Sequence, residues 1–132
     1  MRGVIESPGQ GLLVAAHPSG LMANEKVYFS HEFTHALQDQ HFDVEAIDDP
    51  AAGEGDRSLA RLALVEGDAS LLMARWLSQN LDPAELAELL QIDPEAQAQL
   101  ERMPAILREG LVFPYQQGLI FANGIWARGG WE

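Results

Sequence analysis

The chain has 132 residues, enough for one domain with a single hydrophobic core, and we take residues 1–132 as that domain. Its formal net charge of −12 repels nucleic-acid phosphates and anionic lipid surfaces, so nucleic-acid binding is disfavoured. The absence of cysteine excludes disulfides, thiolate metal ligands and cysteine nucleophiles, and any metal site must therefore use histidine and carboxylate.

The first residues of the chain predict a β-hairpin. Residues 3–16, GVIESPGQGLLVAA, contain two short apolar runs on either side of a turn-rich stretch. No signal-peptide pattern follows Met1, and the longest apolar runs are too short to span a bilayer. We therefore expect a soluble chain without a membrane segment, which is either cytoplasmic or an excised part of an exported protein.

Two helices are predicted in the next part of the chain. Asn24 is a suitable N-cap for a helix that runs to about Gln40. Residues 42–57 carry Asp, Gly and Pro and little apolar content, which predicts a loop. The segment from Arg57 to about Leu77 is apolar on nearly all sides and free of proline. It predicts a buried central helix, whose weak point is Gly67.

Two Asp-Pro pairs predict further helix starts. Asp82 and Asp93 each precede a proline, and an aspartate N-cap followed by proline at the first helical position is a typical start. Glu85 and Glu95 are placed for capping boxes. Pro104 should then end or kink the second of these helices.

The last part of the chain predicts one more helix. Gly110 can cap the residues that follow Pro104, and a helix is predicted from Tyr115 to Arg128, before two glycines. This segment is rich in apolar residues, so its surface could be buried in a homodimer.

The stretch HEFTHALQDQH, residues 31–41, carries three of the four histidines. On a helix, residues four apart lie about 40° from each other, so His31 and His35 share one face, with Glu32 at its edge. That arrangement is typical of zinc hydrolases, in which two histidines bind the metal and the glutamate takes a proton from the bound water.

The alternative is a surface face whose histidines bind nothing. A chance match to His-Glu-x-x-His in this composition has a probability of about one in a hundred, which favours the metal site. The other side of the same helix carries an apolar stripe that we expect to face the core: Phe29, Phe33, Ala36 and Leu37.

Two residues compete for the place of the third ligand. His41 stands where a metzincin site has its third histidine, but Gln38 replaces the glycine that ends the helix in that pattern. On a continuous helix His41 would point about 80° to 120° away from the other two imidazoles. Glu66, in LVEGDAS, puts a carboxylate in a stripe that should be buried, which is costly unless it binds a metal, an arginine or a backbone amide.

Three motifs, SHEFTHALQDQHFD, LVEGDAS and FPYQQGLIFANGIWARGGW, span most of the chain from residue 31 onward. They resemble the gluzincin branch of the zincin metallopeptidases, and more narrowly a small bacterial group of metallopeptidase-like proteins. The resemblance implies one zinc ion per chain, held by His31, His35 and Glu66, with Glu32 as general base and acid. Larger gluzincins have an aspartate four residues after the ligand glutamate, where this chain has Ser70.

The resemblance and the predicted elements together give an expected fold. We expect an α+β class, mostly helical: a minimal zincin-like domain with a small N-terminal β-hairpin or sheet packed on the metal-site helix. In zincins an edge strand pairs with the substrate, and residues 11–16, GLLVAA, are the candidate for it. Members of the narrower group continue beyond the Gly-Gly-Trp segment, so this chain is expected to be a minimal or truncated version.

These inferences predict a zinc metallopeptidase that acts on a peptide or protein substrate. Tyr115 is the first candidate for stabilising the developing oxyanion, and Tyr28 is the second. Asp39 is a candidate for orienting a ligand histidine, whereas Asp68 is expected on a different face and His17 at the surface. The alternatives are a zincin-like binding or scaffolding module without activity, a metzincin-like site, and hydrolysis of a non-peptide amide.

Overall fold

The computed structural model describes residues 20–42, 44, 55–91 and 93–131, and nearly all of them are helical. Five helices follow one another in the described part of the chain, joined after the second by short turns. Their bounds are Ala23–Phe42 (α1), Asp56–Asn80 (α2), Pro83–Leu89 (α3), Pro94–Arg102 (α4) and Ala105–Gly129 (α5). None of these helices is both long enough and apolar enough to cross a membrane.

The predicted α+β class is wrong, although the expectation of a mostly helical domain is confirmed. No strand or sheet occurs among the described residues. In this part of the chain helices bury their faces against other helices, α1 on α2 and α2 on α5, so the core needs no sheet. The predicted hairpin at residues 3–16 and the candidate substrate-pairing strand at 11–16 lie outside the described residues.

The two Asp-Pro helix starts are confirmed. The Asp82 carboxylate accepts hydrogen bonds from the backbone N–H groups of Ala84 and Glu85, and the Glu85 side chain accepts one from the Asp82 N–H, which completes a capping box. Asp93 accepts from the Glu95 N–H at 2.9 Å. The capping box predicted for Glu95 is wrong, because this residue stands two positions after the cap, and a capping box needs the third.

The last helix begins earlier than predicted. Helix α5 starts at Ala105, immediately after Pro104, and continues through Gly110 and Pro114 instead of starting at Tyr115. Proline inside a helix removes one backbone hydrogen bond and crowds the carbonyl four residues earlier, which here belongs to Gly110. Pro114 is fully buried in the core, and this burial offsets part of that cost.

Helices α2 and α5 pack unusually closely at a pair of glycines. A Cβ placed on Gly67 would lie 2.1 Å from the carbonyl carbon of Gly118, so the two backbones are in direct contact. Further along, the Arg75 guanidinium lies over the Trp126 ring, 3.2 Å from its centroid. The order of these two contacts shows that the helices run in the same direction. Gly67, predicted as the weak point of its helix, therefore allows a direct backbone contact with α5.

Helix α1 packs with a different face from the predicted one. Its buried residues are small or polar, and they are Ala23, Ser30, Thr34 and Gln38, whereas Phe33 of the predicted apolar stripe is 43% exposed. The two hydroxyls can be buried because they bond within the helix: Ser30 donates to the Val27 carbonyl at 3.0 Å, and Thr34 donates to the Ser30 carbonyl at 2.8 Å. This packing turns the imidazoles toward α2.

Candidate metal centre

His31 and His35 lie one helical turn apart on α1, as their spacing predicts. Their Nε2 atoms are 3.0 Å from each other, and the rings meet edge to face with centroids 4.6 Å apart. The two side chains therefore converge, with both Nε2 atoms directed at a common position. The helix thus brings two nitrogen donor atoms to one point.

Glu66 reaches the same point from α2. Its Oε2 lies 3.0 Å from His31 Nε2 and 3.5 Å from His35 Nε2. Zinc bonds of about 2.0–2.2 Å in a tetrahedral arrangement separate neighbouring ligand atoms by about 3.3–3.6 Å, close to these distances. The three side chains can therefore hold one metal ion after small adjustments.

The electrostatics of the cluster follow from its partial burial. The side chains of His31, His35 and Glu66 are 16%, 18% and 15% exposed. Hydrogen bonds from the imidazoles of His31 and His35 lower the pKa of Glu66 to about 2. The hydrogen bond with Glu66 raises the pKa of His35 above 6.5, although burial opposes this shift. Without a metal, the carboxylate thus stays ionised and favours a proton on the neighbouring imidazole.

Gln38 and Asp68 form a supporting layer that sequence reasoning missed. Gln38 Oε1 lies 2.8 Å from His35 Nδ1, and Gln38 Nε2 donates to the Val65 carbonyl at 3.1 Å and to Asp68 Oδ2 at 2.8 Å. From the sequence, Gln38 stands out only as the residue in the place of a glycine, and Asp68 is expected on a different face. The available signal was the spacing, since residue 38 lies one turn after residue 35 and shares its face.

Tyr115, the first candidate for the oxyanion stabiliser, lies beside His31 of the cluster. Its ring centroid is 6.3 Å from that of His31, and its side chain is 47% exposed. Burial raises the pKa of Tyr115, and the negative charges of Glu66 and Glu32 raise it further. Glu32 also raises the pKa of His35 electrostatically. Glu32 follows His31 on α1 and is half-buried.

The other candidates are not brought into the cluster. His41 and Asp39 are exposed, and the His41 ring lies 6.3 Å from that of Phe42. Tyr28 is 65% exposed, and Ser70 is buried within α2. Position 17, the remaining histidine, lies outside the described residues. Among the residues that the structure describes, the group that could hold a metal ion consists of His31, His35 and Glu66, and it does not include His41.

An apolar cavity of about 660 Å³ lies next to the supporting layer. Gln38 and Asp68 form part of its wall, together with aromatic residues that include Phe121 and Trp126. Volumes of this order are common in small-molecule sites. The hydrogen bond between Gln38 and Asp68 therefore borders a mainly apolar cavity.

Comparisons of the chain with protein-family models, with curated proteins and with solved structures found no match. The resemblance to gluzincins thus rests on the sequence motifs, and the site must be judged on its geometry and chemistry.

Proposed function

We propose that this protein is a zinc-dependent metallopeptidase. The observation that carries the proposal is the convergence of His31 and His35 from α1 with Glu66 from α2, at distances of 3.0–3.5 Å. Two histidines and one glutamate are the donor set of many catalytic zinc sites, and they leave the fourth position for water or substrate. A structural zinc site would usually be closed by four protein ligands.

The choice of zinc follows from the donor atoms. Two imidazole nitrogens and one carboxylate oxygen suit zinc better than calcium or magnesium, which take six or more oxygen ligands. Copper and nickel tolerate similar donors but favour square-planar or tetragonal geometry. The donor set of two histidines and one glutamate is that of many catalytic zinc sites, so one zinc ion per chain is the proposed cofactor.

The reaction would use the side chains around this cluster. Zinc, when bound, would polarise a water molecule and the substrate carbonyl. Glu32 would accept the proton from the attacking water and pass it to the leaving amine. The Tyr115 hydroxyl would donate a hydrogen bond to the oxygen that becomes negative in the transition state. The half-exposed ring of Tyr115 beside His31 supports this assignment.

We further propose membership in the gluzincin branch of zincins. The support is the order of the motifs, HEFTH followed by LVEGDAS, together with the position of Glu66 in the cluster. His41 would complete a metzincin-like site, and its exposed position outside the cluster favours the gluzincin arrangement.

The decisive experiment compares the purified protein with the Glu32→Gln variant. Elemental analysis should find one zinc per chain in both proteins, because Glu32 is not a ligand in this proposal. Hydrolysis of a mixed peptide library, followed by mass spectrometry, should occur with the native chain and fall by at least about a hundredfold in the variant. Glu25→Gln, on the first turn of the same helix, is the matched control and should keep full activity.

The other outcomes are equally informative. Zinc without peptide cleavage would indicate the binding module or an enzyme for non-peptide amides, and activity that survives Glu32→Gln would refute the proposed base. A protein that binds no zinc, even after zinc is added back, would refute the metal site.

The predicted homodimer stays a prediction. On α5, Leu107 and Leu111 lie one turn apart and are 58% and 56% exposed, so they form an apolar surface on that helix. Sedimentation equilibrium of the native chain and of Leu111→Glu would test whether a second copy covers it.

A further inference from the structure

The hydrogen bonds of Gln38 determine which nitrogen of His35 carries the proton. The Val65 carbonyl and the Asp68 carboxylate lie 3.1 Å and 2.8 Å from one end of the Gln38 amide, and both groups are acceptors. That end must therefore be the NH₂ group, which uses both of its hydrogens on them. The carbonyl oxygen at the other end then faces His35 Nδ1 at 2.8 Å.

An oxygen that faces Nδ1 at this distance can only accept a hydrogen bond. His35 Nδ1 must therefore be protonated, and in the neutral ring this leaves the lone pair on Nε2. Nε2 is the atom that lies 3.0 Å from His31 Nε2 and 3.5 Å from Glu66 Oε2. The chain of contacts thus directs the lone pair of His35 at the centre of the cluster.

The surroundings strengthen this chain of hydrogen bonds. The Gln38 side chain is buried, with only 7% of the residue exposed, and one side of the Gln38–Asp68 pair borders the apolar cavity. In such an environment water competes little for the bonded groups, so these hydrogen bonds hold their geometry better than exposed ones. Asp68 adds a charge-assisted bond to the amide, which restricts rotation of Gln38.

We propose that Gln38, held by Val65 and Asp68, is the positioning residue that fixes the tautomer and ring orientation of His35 for metal binding. This inference rests on the proposed metal site and adds to it residues outside the His-Glu-x-x-His motif. A metal-binding histidine generally has a hydrogen-bond partner on its other ring nitrogen, and loss of that partner typically weakens metal binding about 10–100-fold. We expect an effect of this size when Gln38 is replaced.

The test uses the Gln38→Met variant, which has a similar volume and no hydrogen-bonding amide. Gln40→Met is the matched control, since Gln40 is exposed on the same helix. Two-bond ¹H–¹⁵N correlation spectra of the metal-free proteins, recorded at about pH 9 to keep His35 neutral, report its tautomer. The native chain and Gln40→Met should show the proton on Nδ1, and Gln38→Met should lose that preference.

Zinc competition with a chromophoric chelator provides the second measurement. The dissociation constant should rise about 10–100-fold in Gln38→Met and stay unchanged in Gln40→Met. The Asp68→Ala variant removes an acceptor that holds the Gln38 amide, and it serves as the second variant if Gln38→Met does not fold. It should weaken both the Nδ1 preference of His35 and zinc binding, and no change in either would count against the proposal.

Two results would overturn the proposal: a proton on Nε2 of His35 in the native chain, or an unchanged tautomer and zinc affinity in Gln38→Met. Failure of the proposed function is distinguishable from these. A native chain that binds no zinc but has the proton on Nδ1 would refute the metallopeptidase while leaving the Gln38 hydrogen bond intact.

Discussion

Gly67 and Gly118 bring the backbones of α2 and α5 into direct contact, because neither residue has a side chain to separate them. A Cβ on Gly118 would lie 2.0 Å from the Ala63 carbonyl oxygen, a distance that forces the helices apart. We expect Gly118→Ala to lower the free energy of unfolding by about 3 kcal/mol, since overpacking against backbone is not relieved by a rotamer change. Urea denaturation followed by circular dichroism measures this difference.

The same helix offers a matched control. Gly124 has nothing within 4 Å of an added Cβ, and Ala is the better helix former, so Gly124→Ala should raise stability by about 0.5–1 kcal/mol. Equal effects of the two substitutions would show that the close contact of α2 and α5 does not exist in solution.

Local sequence signals predicted the helices and part of the site because those signals act over a few residues. The Asp82 cap and the His31–His35 pair are fixed by spacing within one helix, and the structure has both. Glu66 could be proposed as a metal ligand because a carboxylate in an apolar stripe needs a partner. The stripe alone left a metal, an arginine and a backbone amide open as that partner, and the resemblance favoured zinc.

The errors came from interactions between distant parts of the chain. The early start of α5 depends on burial of Pro114 against other elements, which its local helix-breaking tendency does not reveal. The polar face of α1 is buried because Gln38 finds partners on α2, at Val65 and Asp68. Such contacts depend on how the helices cross, and no local pattern encodes the crossing.

Zinc binding should stabilise the native chain against heat. At a free zinc concentration of about 100 times the dissociation constant, binding to the folded state alone adds about 2.7 kcal/mol to the free energy of unfolding. His35→Ala removes a proposed ligand and should abolish this zinc-dependent rise in melting temperature. Differential scanning calorimetry with and without zinc measures the effect.

His41→Ala is the control for that experiment, because His41 lies on the same helix and outside the cluster. It should keep the full zinc-dependent rise. If His41→Ala lost the rise and Glu66→Ala kept it, the third ligand would have to be revised from Glu66 to His41, as in the metzincin-like arrangement.

Tyr115→Phe should lower kcat of peptide hydrolysis by about 10–100-fold with little change in KM, since the lost hydrogen bond would form mainly in the transition state. Stability should change little, because the ring remains and the side chain is 47% exposed. Tyr28→Phe, which removes a hydroxyl from a residue that is 65% exposed, should leave kcat unchanged. A loss confined to Tyr28→Phe would transfer the role to that residue.

The stability of the metal-free chain should depend on pH through Glu66 and His35. Hydrogen bonds from the imidazoles lower the pKa of Glu66 from 4.5 to about 2, so its contribution is present above pH 4.5 and is lost as the pH falls toward 2. The pKa of His35 is raised from 6.5, mainly by its hydrogen bond with Glu66. Its contribution is complete below pH 6.5 and is lost as the pH rises through the folded-state value.

The two contributions overlap between pH 4.5 and 6.5, where the carboxylate is ionised and the imidazole of His35 is protonated. Glu66→Gln removes the titrating carboxylate and, with it, the main cause of the raised pKa of His35. The stability difference between native chain and variant, measured by urea denaturation from pH 2.5 to 9 without metal, should therefore be largest in this interval and shrink on both sides. A difference that is the same at every pH would show that the ion pair of Glu66 with the imidazoles does not form in solution.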